Sequence, residues 1–159
     1  MSWERRIRPI GPGRYELTLD DRDRQGLKEL GVWLRGRLMA DTTTPAVRRL
    51  FPPAYEKDEE REIEYQELMR DELLERRLEH LDVLEETADA AELDREQLEA
   101  WMTAINEIRL VLGTELDVTE DEDPLDVAPN APDAGLRLVY GALGVLLEEV
   151  IAALGEPAG

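Results

Sequence analysis

The chain has 159 residues, 42% of them hydrophobic and 36% charged, with a net charge of −19 and no cysteine. That length predicts a single domain over residues 1–159, able to bury roughly 68–70% of its unfolded surface. The missing cysteine excludes disulfides, thiol switches, iron–sulfur clusters and Cys-ligated zinc.

The charge is unevenly placed. Residues 1–50 hold 11 Lys+Arg against 7 Asp+Glu, whereas residues 51–159 hold 8 against 31. A mildly basic N-terminal third therefore precedes a strongly acidic body, which bears on partners and not on fold. All cations but Lys28 and Lys57 are Arg, the better bidentate donor to carboxylate or phosphate. The opening, Met1-Ser2-Trp3-Glu4-Arg5-Arg6, lacks the apolar stretch of a signal peptide, so a cytoplasmic location is expected. The longest apolar run, Leu138 to Leu147, is ten residues long. A membrane span needs about 20, so none is expected.

Residues 3–19 read as a β-hairpin. Tyr15-Glu16-Leu17-Thr18-Leu19 alternates with the period of a strand, Trp3 to Arg8 is its partner, and Pro9-Ile10-Gly11-Pro12-Gly13 carries the turn signal. A first helix is predicted over about 20–39, capped by Asp20, with Leu27, Leu30, Leu34 and Leu38 on one face and Trp33 at its border. Thr44-Pro45 starts a short helix over 45–50, which Phe51-Pro52-Pro53 breaks. A long helix follows over 59–87, with apolar positions from Ile63 to Leu84. Asp94 and Gln97 then form a capping-box pair for a helix over 94–116. Its Leu98, Trp101, Ile105, Ile108 and Leu112 step as a heptad seam, which is too short for a free coiled coil and predicts a bundle core.

The acidic, proline-rich segment 119–131 reads as a solvated linker. The last helix, over 132–154, points Leu136, Val139, Leu143, Leu146, Leu147, Val150 and Leu154 inward. Gly135, Gly141 and Gly144 are poor helix formers that admit a close neighbour. So apolar a helix must pack on its own chain or on a second copy. The expected fold is mainly α: an N-terminal hairpin followed by about five helices in a bundle.

Catalytic chemistry finds little footing. A bundle di-iron site wants Glu-x-x-His twice. The one histidine, His80, has Arg77 three residues before it. A calcium loop opened at Asp121 would place Asp126 where Gly belongs and Pro132 where Glu belongs. The only serine is Ser2, Thr42 to Thr44 read as helix capping, and His80 reads as an edge residue of a charged helix. No enzyme, cofactor or metal is expected. The arginines are the candidates for contact with phosphate or an acidic partner: Arg5, Arg6, Arg8 and Arg14 by the hairpin, Arg35 and Arg37 in the first helix, Arg48 and Arg49 before Phe51. Their other use is pairing with the chain's own acids. Asn106 and Arg109 interrupt the seam of the 94–116 helix, as Arg70-Asp71 interrupts the long one, and a buried Arg calls for an acidic partner.

Arg48-Arg49-Leu50-Phe51-Pro52-Pro53-Ala54-Tyr55, then Glu64-Tyr65 and Arg70-Asp71-Glu72-Leu73-Leu74, form one distinctive block. Leu98 to Thr114 forms another, and Trp3 to Arg8 with Gly13-Arg14-Tyr15 opens the pattern. Together they resemble the actinobacterial domain of unknown function 2017 family over nearly the whole chain. Most members are uncharacterised, and some are described as transcriptional regulators in redox homeostasis. The resemblance implies a regulatory protein that works with DNA or a sigma factor, with Arg48, Arg49, Phe51 and Tyr55 as candidate binding residues. A cysteine-pair sensor cannot carry over to a chain without cysteine.

Two functions follow as expectations. The first is a cytoplasmic, non-enzymatic regulator whose partner-binding face comprises Arg5, Arg6, Arg8, Arg35, Arg37, Arg48, Arg49, Phe51 and Tyr55. The second is a protein–protein adaptor that uses the acidic helical body, with no role for DNA. A homo-oligomer through the last helix fits either.

Overall fold

The computed structural model describes residues 5–40, 58–116 and 134–156. The short helix over 45–50, the linker over 119–131, and Arg48, Arg49, Phe51 and Tyr55 lie outside them. Within them the protein is mainly helical behind a small antiparallel sheet. Strands β1 (Ile7–Gly11), β2 (Arg14–Leu17) and β3 (Glu92–Asp94) lie in the order β1-β2-β3. The helices are α1 (Asp21–Ala40), α2 (Glu59–Thr87), α3 (Arg95–Glu115) and α4 (Ala134–Gly155).

The hairpin turns more tightly than its sequence suggests. β1 runs through Pro9-Ile10-Gly11, read above as turn, and only Pro12-Gly13 lies outside the strands. Gly13 sits at φ 65°, the left-handed region that a two-residue turn demands and glycine enters freely. A bulge between Pro9 and Gly11 absorbs Ile10, so proline falls where the ladder is already irregular.

Register follows from what each face wants. Ile7, Tyr15, Leu17 and Leu93 are buried on the inner face. On the outer face Arg8 lies opposite Glu16 and pairs with it, and Arg14 reaches Glu92 on β3 at 2.9 Å. β3 has three residues, too few for any periodicity to show; it exists because β2 offers it a free edge.

Caps set the helix starts. Asp20 accepts from Asp23 N at 2.7 Å, and Asp58 from Arg61 N at 3.2 Å. At α3 the capping box is complete: Gln97 N donates to Asp94 at 2.7 Å and Asp94 N to the Gln97 side chain at 2.9 Å.

Helix α3 is the axis of the bundle and packs against both α2 and α4. Its seam, Leu98, Trp101, Ile105, Ile108 and Leu112, is buried throughout. A second buried stripe, Ala100, Ala104, Glu107 and Val111, lies on another side, because this helix has neighbours around most of its circumference. Helix α2 sinks gradually into the core. Ile63 is 58% exposed, Leu73, Leu74 and Leu78 are half-buried, and Leu81 and Leu84 are fully enclosed.

In α4 the inward expectation holds for Leu143, Leu146, Leu147 and Val150, with Val139 and Leu154 half-buried. It fails for Leu136, 52% exposed at the first turn of the helix. Of the helix's glycines, Gly144 makes room for the Arg109 guanidinium, whose Nη2 lies 3.0 Å from where a Cβ would stand, while nothing approaches Gly135.

Two arginines correct the sequence reading. Arg109 needs no acid: it stacks 4.4 Å from the Tyr140 ring centroid, a cation–π contact. Asn106 is simply exposed. Arg24, which nothing in its sequence setting marks, donates to four backbone oxygens: Leu19 at 2.9 Å, Ala88 at 2.9 Å, Ala90 at 2.7 Å and Leu17 at 3.2 Å. One guanidinium thus joins α1, the end of β2 and the exit of α2, whose terminal carbonyls attract positive charge.

Candidate partner-binding surface

The candidate arginines within the described residues do not converge on one basic face. Arg5 pairs with Glu156, just past α4. Arg6 forks between Glu149 of α4, 3.0 Å from its Nε, and Asp23 of α1, 3.2 Å from its Nη1. The hydrogen bond to Glu149 holds the Arg6 guanidinium above its ordinary pKa. Arg8 pairs with Glu16 across the hairpin. Arg35 bridges α1 to α2 through Asp82 at 2.6 Å and Glu85 at 3.0 Å, and Gly31 leaves the space in which the Glu85 side chain lies. Arg37 meets Glu115 of α3 at 3.3 Å and lies 5.6 Å from the Trp33 ring centroid.

Arg8 thus pairs within the hairpin, while Arg5, Arg6, Arg35 and Arg37 each fasten the hairpin side or α1 to another part of the chain. A solvent-exposed pair of this kind contributes about 0.2–1 kcal/mol.

The acidic body presents the opposite character. An open groove of ≈ 910 Å³ runs along α2 and α3 to the end of α4. Its floor includes Val83, Ala100, Met102 and Leu154. Glu79, Asp94, Glu96 and Glu99 stand on it, against Arg95 as the one full cation. Arg95 is itself paired with Glu99 at 3.1 Å. A second cleft, between α1 and α4, holds only ≈ 200 Å³ over Leu27, Leu30, Leu143 and Leu146. That is below the roughly 300–1,000 Å³ of ordinary ligand sites.

His80 joins the groove to the interior. It lines the groove, and its Nδ1 lies 3.9 Å from Glu107 Oε1. Glu107 is 2% exposed and accepts from Arg77 Nη1 at 2.5 Å. Burial raises the Glu107 pKa, against the pull of Arg77. Burial lowers the His80 pKa, helped by the Arg77 charge and opposed by Glu79. Arg77 already compensates Glu107, so the carboxylate does little to hold a proton on the His80 imidazole.

The sequence reading missed Glu107. The usable signal was a lone acid in the small-residue stripe Ala100, Ala104, Val111. Among the described residues no group of three or more His, Cys, Asp or Glu is arranged to hold a metal ion.

Fold and surface together describe an acidic, mainly helical protein with a charged groove along α2 and α3. A family model described as "Domain of unknown function (DUF2017)" matches residues 5–154, and the chain belongs to this family. No curated protein and no solved structure matches the chain.

Proposed function

We propose that this protein is a non-enzymatic, cytoplasmic regulatory module that takes up a basic amphipathic segment of a partner protein in the α2/α3 groove. The observation that carries the reading is the contrast between its two charged surfaces. The arginines at 5, 6, 8, 35 and 37 are engaged by the chain's own carboxylates, while the groove keeps a surplus of acid over an apolar floor. Acid on the rim steers a basic partner and sets its register; the apolar floor receives its aliphatic side chains. The same pairing removes support from contact with DNA through the N-terminal third, where phosphate would compete with carboxylates against a net charge of −19.

The test is fluorescence anisotropy with a labelled Lys/Leu amphipathic peptide and, separately, a labelled DNA duplex. Each is measured at about 50 and about 200 mM salt, across which screening of exposed charges grows steeply. Glu79→Lys/Glu96→Lys reverses the groove charge; Glu59→Lys/Glu60→Lys makes the same change on exposed positions at the start of α2. The groove variant is expected to lose at least about tenfold in peptide affinity, roughly 1.4 kcal/mol, and the control variant much less. Equal losses in both would reduce the effect to net charge. Tight duplex binding, lost in Arg48→Ala/Arg49→Ala, would replace this reading with a DNA-facing regulator.

A further inference from the structure

Helices α1 and α4 face each other across the ≈ 200 Å³ cleft walled by Leu27, Leu30, Leu143 and Leu146. It shares no lining residue with the α2/α3 groove. Its polar residues stand at one end, where α1 begins: Arg6, Arg22 and Asp23. Two arginines against one aspartate leave a surplus of positive charge there, in a chain of net charge −19. Arg6 is committed to Glu149 and Asp23. Arg22 is exposed, and among the described residues its guanidinium has no ion pair, hydrogen bond or ring contact. Arg24 and Lys28 of the same helix, by contrast, are engaged by backbone oxygens and by Asp89.

Gly26 keeps the cleft open. It lines the cleft between Arg22 and Leu30, and a Cβ built there would meet nothing within 4 Å. From Arg22 to Leu30 the helix rises about 12 Å, so a cationic end leads into an apolar trough of that length. The shape and the charge choose the ligand. The volume is too small for a nucleotide or another large ring system and suits a short alkyl chain. A guanidinium offers a carboxylate a two-pronged contact. A single negative charge also meets less repulsion from this acidic chain than the two of a phosphate ester. The trough walls are helix interiors whose backbone groups are already hydrogen-bonded, so they offer a peptide main chain nothing to hold. We propose that this cleft binds a medium-chain alkyl carboxylate, with its head on Arg22 and its tail over Gly26 between Leu27, Leu30, Leu143 and Leu146. This site goes beyond the groove reading and stands or falls without it.

The test is isothermal titration calorimetry of the full chain with octanoate, octanol and octylammonium near neutral pH. One octanoate per chain is expected to bind, more tightly than either analogue. Arg22→Glu is expected to weaken octanoate at least about tenfold and to bind octylammonium better than the native chain does. An acid in the first turn of α1 suits the helix dipole, so this variant keeps the fold. Gly26→Leu puts a side chain into the trough and improves helix propensity. It is expected to abolish octanoate binding, while its far-UV thermal melt does not fall below that of the native chain. No binding at millimolar octanoate overturns the proposal, as does binding indifferent to either variant, or octanol bound as tightly as octanoate. An acidic amphipathic peptide that binds where octanoate does not, and is blocked by Gly26→Leu, would overturn it in favour of a protein partner.

Discussion

The Arg77–Glu107 pair makes a sharp test because its two members are buried unequally. The Glu107 side chain is 3% exposed and that of Arg77 26%. Arg77→Met keeps most of the packing but leaves a buried carboxylate without its partner. Loss of one partner from a buried pair costs about 3–5 kcal/mol, and the near-complete enclosure of Glu107 places this variant in that range at pH 7. For a domain this size each kcal/mol moves Tm by about 2–4 °C, so a fall of roughly 6–20 °C is expected. Glu107→Leu leaves behind an arginine that can extend toward water, so its cost is smaller. The double variant Arg77→Met/Glu107→Leu, with apolar groups of similar size, should be more stable than Arg77→Met alone.

The pH dependence supplies a second check. Burial already raises the Glu107 pKa above its unfolded value, and removing Arg77 raises it further. The stability linked to a raised acid is fully present below the unfolded pKa and is lost as pH rises through the folded pKa. The deficit of Arg77→Met is therefore large at pH 7 and shrinks on acidification, by up to about 1.4 kcal/mol per pH unit. Urea titration followed by far-UV circular dichroism at several pH values measures it. A deficit that stays flat with pH, or one smaller than that of Glu107→Leu at pH 7, would refute the reasoning.

Three further outcomes follow from the same structure. His80 has a lowered pKa, so its stabilising contribution is present above the unfolded value near 6.5 and is lost as pH falls through the folded pKa; relative to His80→Gln, the native chain should lose stability on acidification, read from paired urea midpoints. Arg24→Met should destabilise by about 2–4 kcal/mol, because four carbonyl partners lose a charged donor, and hydrogen bonds to charged groups, worth about 1.5–3 kcal/mol net, do not add when one guanidinium makes all four; Arg24→Lys, with one point donor, should recover only part of the urea midpoint. Thr87→Val should cost about 1–3 kcal/mol, since Thr87 Oγ1 accepts from Trp101 Nε1 at 2.6 Å and Trp101 is fully buried, and Trp101 fluorescence should register the change.

Much of the fold was legible because its signals are local. Asp20 and the Asp94–Gln97 box mark helix starts through side chains within three residues of the amides they cap. The Leu98–Leu112 seam and the Leu27–Leu38 face report burial through a period that a single helix imposes on itself. The family blocks likewise stand in the linear order of residues. Where the readings diverged, the deciding partner lay far away in sequence. β3 is a strand because β2 offers an edge some 78 residues earlier, the separation of Arg14 and Glu92. Arg109 is satisfied by Tyr140 of another helix and not by an acid.

The arginines show the same limit most plainly. Their number and type could be read from the chain, but whether they meet phosphate or carboxylate depends on which helix lies beside each one. Arg5 finds Glu156, 151 residues on, and Arg37 finds Glu115, 78 residues on. Glu107 looked like one more acid in an acidic helix until α2 closed over it and brought Arg77 and His80 to its side. Composition, periodicity and capping thus determined an acidic, helical, cysteine-free domain with a hairpin in front, because each depends on forces acting within a few residues. Which charges are neutralised, which acid is buried and which apolar face is left open were decided only by tertiary packing, because burial and pairing are properties of neighbours the chain brings together from a distance.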